Sequence, residues 1–202
     1  MKSILRRIGF LAAVVSVMAA CSGEPSTAPA VQKSESTVKA PESASSSLLG
    51  LNLNLNLVTN LQRTQPLASS ITVSQTIGSA GGTLSIPAAG VTVTIPQGAL
   101  SSPTVITMTA RAGSALAYDF APHGITFAKP LTFKQNLQGT NATLLSAPFL
   151  RLGYYSDPSL IGTVTSLVSE LLSGTTNLLT WQFSAPIKHF SGYIIACGRG
   201  DE

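Results

Sequence analysis

The 202-residue chain is only 10% charged and rich in Gly and Pro, a composition that suits an extracytoplasmic β protein better than a helical cytosolic enzyme. Most of its formal charge of +4 sits at the start: once Lys2, Arg6 and Arg7 are set aside, nine Lys/Arg face eight Asp/Glu, a net of +1. No basic patch remains to neutralise a run of phosphates, which excludes nucleic-acid binding, and the length leaves room for one modest domain.

Residues 1–21 have the three parts of an export signal: a positive region with Lys2, Arg6 and Arg7, an apolar run from Ile8 to Val17, and Met18-Ala19-Ala20-Cys21 as the cleavage site. The run is too short for a permanent membrane span. Ala19-Ala20-Cys21 resembles the bacterial lipobox, in which the Cys thiol takes a diacylglycerol and becomes the new N-terminus; Met18 departs from the usual Leu. The resemblance implies a membrane partner through a lipid on Cys21, and Ser22, in place of Asp, implies an exported protein held at the outer membrane of the cell envelope.

Residues 22–65 are expected to be a tether. Ser22 to Ser47 is mostly Ser, Ala, Pro, Glu, Lys and Thr without an aromatic residue, too little apolar surface to offset its ordering entropy. Leu48 to Leu57 reads Leu-Leu-Gly-Leu-Asn-Leu-Asn-Leu-Asn-Leu, whose alternation from Leu49 onward has a period of two that gives a strand one apolar face. Such a segment can pair as an edge strand, insert its Leu face into a neighbour, or stay unpaired.

From Pro66 to the C-terminus the chain reads as one all-β domain, residues 66–202. Ile71, Val73 and Ile77 lead to Gly81-Gly82, and Thr83–Ile86, Val91–Ile95 and Val105–Met108 are short β-rich runs. Pro87 to Gly90, Pro96-Gln97-Gly98 and Pro103 punctuate them. Strands at this spacing without helices between them predict an antiparallel sandwich or barrel. Phe120, Phe127, Phe133 and Trp181 are candidates for core fill. Gly82, Gly90, Gly98 and Gly124 suit turns of positive φ, and Pro96 and Pro130 suit strand edges.

Three ordered motifs carry a family resemblance. Gly81-Gly82-Thr83-Leu84 with Gly90-Val91-Thr92-Val93-Thr94-Ile95-Pro96-Gln97-Gly98-Ala99-Leu100 resembles the opening of a ZU5 domain. Phe120-Ala121-Pro122-His123-Gly124-Ile125-Thr126-Phe127-Ala128-Lys129-Pro130-Leu131 is similar to a later segment of that family, and His189-Phe190-Ser191-Gly192-Tyr193 to its close. The resemblance implies an antiparallel β-sandwich that acts as a structural or protein-interaction module, here with an unidentified protein partner in the envelope.

Between Tyr155 and Asn177, Leu160, Ile161, Val164, Leu167, Val168, Leu171 and Leu172 recur at helical spacing behind Ser156-Asp157-Pro158. This predicts a short inserted helix near 158–173, although Gly162, Thr163 and Thr165 are poor helix formers.

His189-Phe190-Ser191 is the one constellation with chemistry in it. Relatives of the resembled family cleave their own chain between this Phe and Ser. In an extended strand His189 and Ser191 share a face while Phe190 points the other way. Ser191 Oγ would then attack the Phe190 carbonyl with His189 as general base, an N-to-O acyl shift followed by ester hydrolysis. The alternative is a plain strand with Phe190 buried and His189 and Ser191 exposed. Turnover on an external substrate lacks a second acid or a phosphate-binding glycine loop, and no cofactor is implied. A further alternative is a soluble-ligand binder, which requires a pocket of convergent polar groups. Cys21, His123, His189 and Cys197 have no zinc-site spacing. His123 reads as a loop residue, and Cys197 as a small buried hydrophobe outside any disulfide.

Overall fold

The structure is a computed structural model and describes residues 55–197. The leader, Cys21, the tether as far as Asn54 and residues 198–202 lie outside the described residues. In chain order the strands are β1 (Asn56–Asn60), β2 (Gln62–Leu67), β3 (Ile71–Ile77), β4 (Gly82–Ile86) and β5 (Val91–Ile95). There follow β6 (Thr104–Ala110), β7 (Gly113–Ala115), β8 (Ala117–Ala121), β9 (Thr126–Asn136) and β10 (Leu150–Tyr155). The last are β11 (Thr165–Val168), β12 (Glu170–Ser173), β13 (Thr175–Asn177), β14 (Gln182–His189) and β15 (Gly192–Cys197).

The strands form the antiparallel, sandwich-like arrangement that the turn spacing predicts. One eight-stranded sheet runs β11-β1-β15-β8-β6-β3, with β10 on the other edge of β15 and β12 beyond β10; a five-stranded sheet runs β13-β14-β9-β5-β4. The short pair β2-β7 closes one side. Period-two patterning decides the faces: Val91, Val93 and Ile95 of β5 and Leu131, Phe133 and Gln135 of β9 are buried, with their neighbours more exposed. Across from them lie Ile106 and Met108 of β6, Tyr118 and Phe120 of β8, and Tyr193 and Ile195 of β15, in one continuous core. Phe120, Phe127 and Phe133 are buried as expected. Trp181 is half-buried at the turn into β14, with φ of 50°.

Positive φ occurs at Gly90, Gly98 and Gly124 as predicted, but in the Gly-Gly pair at Gly81 (φ 77°) rather than Gly82. A Cβ on Gly81 would also run into the Ile95 carbonyl, so this turn needs glycine for both reasons.

The expected helix is absent. Only Pro158–Leu160 makes a single 3-10 turn, with the Asp157 carboxylate accepting from the Ser159 N–H at 2.8 Å; the rest is β11, β12 and β13. Two open ladders decide this. β11 pairs with β1 (Leu57 opposite Leu167) and β12 with β10 (Leu152 opposite Leu172), so both edges gain hydrogen bonds that a helix would leave unmade. The β-branched run Thr163-Val164-Thr165 favours the same outcome.

Since β11 and β12 are separated by Ser169 alone, they bridge from β1 to β10 around β15 and close a small ring. Val58, Tyr155, Val168, Ile194 and Ala196 fill it as a second cluster. This explains why all six residues of β15 are buried: one face looks into the main core and the other into the ring.

The fold also begins ahead of the boundary expected at Pro66. β1 is paired on both sides and Leu61 is fully buried. The tail of the Leu-Asn alternation, Asn56-Leu57, opens β1 and takes the pairing option.

Candidate functional site

The His189-Phe190-Ser191 tripeptide lies where the chain crosses from one sheet to the other. β14 ends at His189 in the five-stranded sheet and β15 begins at Gly192 in the eight-stranded one. A register shift in the β14–β9 ladder between Ile187 and His189 starts the turn. The second motif clamps this corner. Phe190 N–H donates to the Ile125 carbonyl at 3.2 Å, Gly124 N–H to the Phe190 carbonyl at 3.3 Å, and Phe120 N–H to the Ser191 carbonyl at 3.0 Å. The Phe190 ring stacks on Phe120 with centroids 5.1 Å apart and meets Phe127 edge-on at 4.7 Å. Two segments of the sequence, 120–127 and 189–193, thus act as one corner. His123, within the first of them, is an exposed turn residue.

No hydrogen bond joins His189 to Ser191 in the described structure. Ser191 is buried, against the expectation of exposure, and its Oγ donates to the Tyr155 carbonyl at 3.2 Å. His189 is half-buried against Tyr154, edge-on at 5.1 Å. The Tyr193 hydroxyl donates to the His189 carbonyl at 2.7 Å and lies 3.4 Å from Nδ1. A nucleophile and its base need a mutual hydrogen bond; here each has a different partner. Gly192 completes the corner, because a side chain there would collide with the Tyr155 ring opposite it. Tyr155 in turn donates to Asp119, which pairs with Arg111 at 3.0 Å.

A second polar cluster went unread in the sequence. Arg63 of β2 is buried; its Nη1 donates to the Ala115 and Gly113 carbonyls and its Nη2 to the Tyr118 hydroxyl at 3.2 Å. Tyr118 donates to Gln135 Oε1 at 2.5 Å, and Gln135 Nε2 to the Ala89 and Asn136 carbonyls. The missed signal is the alternation itself: Arg63 occupies the inward phase set by Leu61, in a stretch assigned to the tether. A cavity of about 380 Å³ adjoins this cluster, lined by Arg63, Thr64, Gln135, Asn136, Gln138 and Thr140 among others. Most of its inner donors are already used on the protein's own backbone, so the cluster is a strut rather than a prepared ligand site. Arg63→Met is therefore expected to lose about 2–4 kcal/mol of stability in urea unfolding, through stranded acceptors and lost packing.

Cys197 is buried as expected, but it is disulfide-bonded, which corrects the reading of a thiol outside any disulfide. Among the described residues no group of three or more His, Cys, Asp or Glu is placed to hold a metal ion.

No curated protein matches the chain. The family model of the ZU5 domain matches residues 73–119, which run from β3 into β8 and contain the first of the three motifs. The match covers the opening strands of the described sandwich and is consistent with a ZU5-like domain.

Proposed function

We propose that this chain is a lipid-anchored cell-envelope protein whose ZU5-like domain is a non-enzymatic protein-interaction module. The observation that carries the interaction role is the family match at 73–119; the leader ending at Cys21 supports the anchor. The domain supplies a rigid body with a closed aromatic core, and its partner binds the surface.

The anchor is tested on the chain purified from its own membranes, by peptide mapping without reduction. A Cys21 peptide carrying thioether-linked diacylglycerol is expected. The sequence has one other cysteine, Cys197, and one sulfur cannot hold both a thioether and a disulfide, so an anchored Cys21 leaves the Cys197 disulfide to be made with a second molecule. A peptide joining Cys21 to Cys197 would therefore overturn the anchor while leaving the domain reading intact.

Self-cleavage is the second reading, and one observation favours it: the Gly124 N–H on the Phe190 carbonyl is a backbone donor aimed at the oxygen that would gain charge. The different partners of Ser191 and His189 favour a structural corner. The intact mass of the wild type is expected to stay that of one chain after prolonged incubation, as is that of Ser191→Ala. A break at Phe190-Ser191 in the wild type alone would make this a self-processing domain.

A further inference from the structure

Two neighbouring loop tips expose large apolar side chains with no charge among them. Leu144 (69% exposed), Leu145 (82%) and Phe149 (58%) lie in the connection before β10, and Leu178 (46%) and Leu179 (97%) form the turn between β13 and β14. The Thr176 hydroxyl donates to the Ala147 carbonyl at 2.6 Å, which fixes one tip against the other. Every one of the five apolar residues is within three positions of that bond. Asn177 Oδ1 accepts from the Leu179 and Thr180 N–H groups, so the hairpin tip is held in shape with its leucines outward. No Asp, Glu, Lys or Arg occurs in 137–150 or in 171–187.

We infer that these tips insert into a lipid bilayer and seat the domain on the membrane surface. Convex apolar tips without a charged rim fit a fluid acyl phase: they bury apolar area and desolvate no ionised group. An apolar patch of this kind on a monomer marks a contact surface. The length and entry point of the remaining chain select the bilayer as occupant, a step that rests on the anchor proposed above. About thirty residues separate Cys21 from Leu55, a length that would reach roughly 30 Å as a flexible linker. β1 begins at Asn56, and just after its far end Gln62 exchanges hydrogen bonds with Asn141, three residues before Leu144, so one short strand separates the start of the described chain from the segment that carries the tips. A domain held so close to a bilayer needs only weak tip affinity to sit on it.

The single tryptophan of the chain, Trp181, is two residues from Leu179 and reports directly. The experiment takes the mature chain with Cys21→Ser, which carries no lipid, and adds vesicles of phosphatidylcholine alone or mixed with phosphatidylglycerol. A blue shift of Trp181 emission and quenching by brominated lipid are expected, equally strong with both vesicles and in high salt. Leu145→Ser and Leu179→Ser, both at exposed sites that leave the fold intact, each weaken partitioning roughly tenfold. Val105→Ser, an exposed apolar control on β6, leaves it unchanged. The inference is overturned by no shift at millimolar lipid, by a shift that needs anionic lipid and vanishes with salt, or by equal losses in all three variants. Because Cys21 is absent from this test, its failure is separate from failure of the anchor.

Discussion

Phe190→Ala is expected to lower the unfolding free energy by about 3–5 kcal/mol, among the largest losses of any single truncation in this domain. The ring is 1% exposed, stacked on Phe120 and edge-on to Phe127, so its removal opens a cavity where both aromatic partners lose contact. The loss falls on the corner that joins the two sheets, whose backbone is held by residues 120–125, so relaxation into the cavity is limited. Phe190→Leu should retain most of the stability. Ser191→Ala removes one hydrogen bond to the Tyr155 carbonyl and should cost only about 1 kcal/mol. Urea unfolding of the three variants checks the order. A Phe190→Ala loss under 1 kcal/mol would show that the ring does not hold the corner.

The second large effect is alkaline. Burial pushes the Tyr118 phenol up to about 12, with Arg63 pulling partly the other way. It raises Tyr155 further, where the Asp119 carboxylate opposes a second negative charge, and Tyr193 is raised by burial as well. Each phenol is thus neutral in the fold at a pH where the unfolded chain has already ionised it, so the unfolded state binds fewer protons. Their contribution is fully present below pH 10, the ordinary phenol value, and is lost as pH rises through the folded values. Tyr118 and Tyr155 together set a slope of roughly 3 kcal/mol per pH unit above that point, with Tyr193 adding in the same direction. Urea midpoints measured across the range, alongside tyrosinate absorbance, should show phenol ionisation coinciding with unfolding. Free titration of every tyrosine in the still-folded protein would contradict the buried network. Tyr118→Phe should be less stable at neutral pH, because Arg63 and Gln135 lose a partner, and should show a shallower alkaline slope.

The opening half of the domain was legible because its information is local. From Ile71 to Met108 the strands alternate with period two and the turns carry Pro and Gly, so short-range sterics mark each strand and each break. The aromatic core was legible for a related reason: Phe120, Phe127 and Phe133 have no polar atom to satisfy and belong inside. Residues 158–173 were not legible, because a helical stripe and two short strands bury similar sets of leucines there. What decides between them is the pair of open edges on β1 and β10, contributed by chain a hundred residues earlier and just upstream. Arg63 was hidden similarly, since its acceptors Ala115 and Tyr118 lie some fifty residues away.

By itself the sequence determined the fold class, the strand and turn order from β3 to β6 and the burial of Phe190, all written in residue type and spacing along the chain, and its motifs carried the resemblance to ZU5 domains. Only the tertiary structure decided that β1 belongs to the sheet, that β11 and β12 close a ring over β15, and that Ser191 turns to Tyr155 while His189 turns to Tyr154 and Tyr193. The physical reason is the same in each case: a backbone N–H, a hydroxyl or a strand edge must find a partner, and which one it finds depends on groups that come within reach only when distant strands pair.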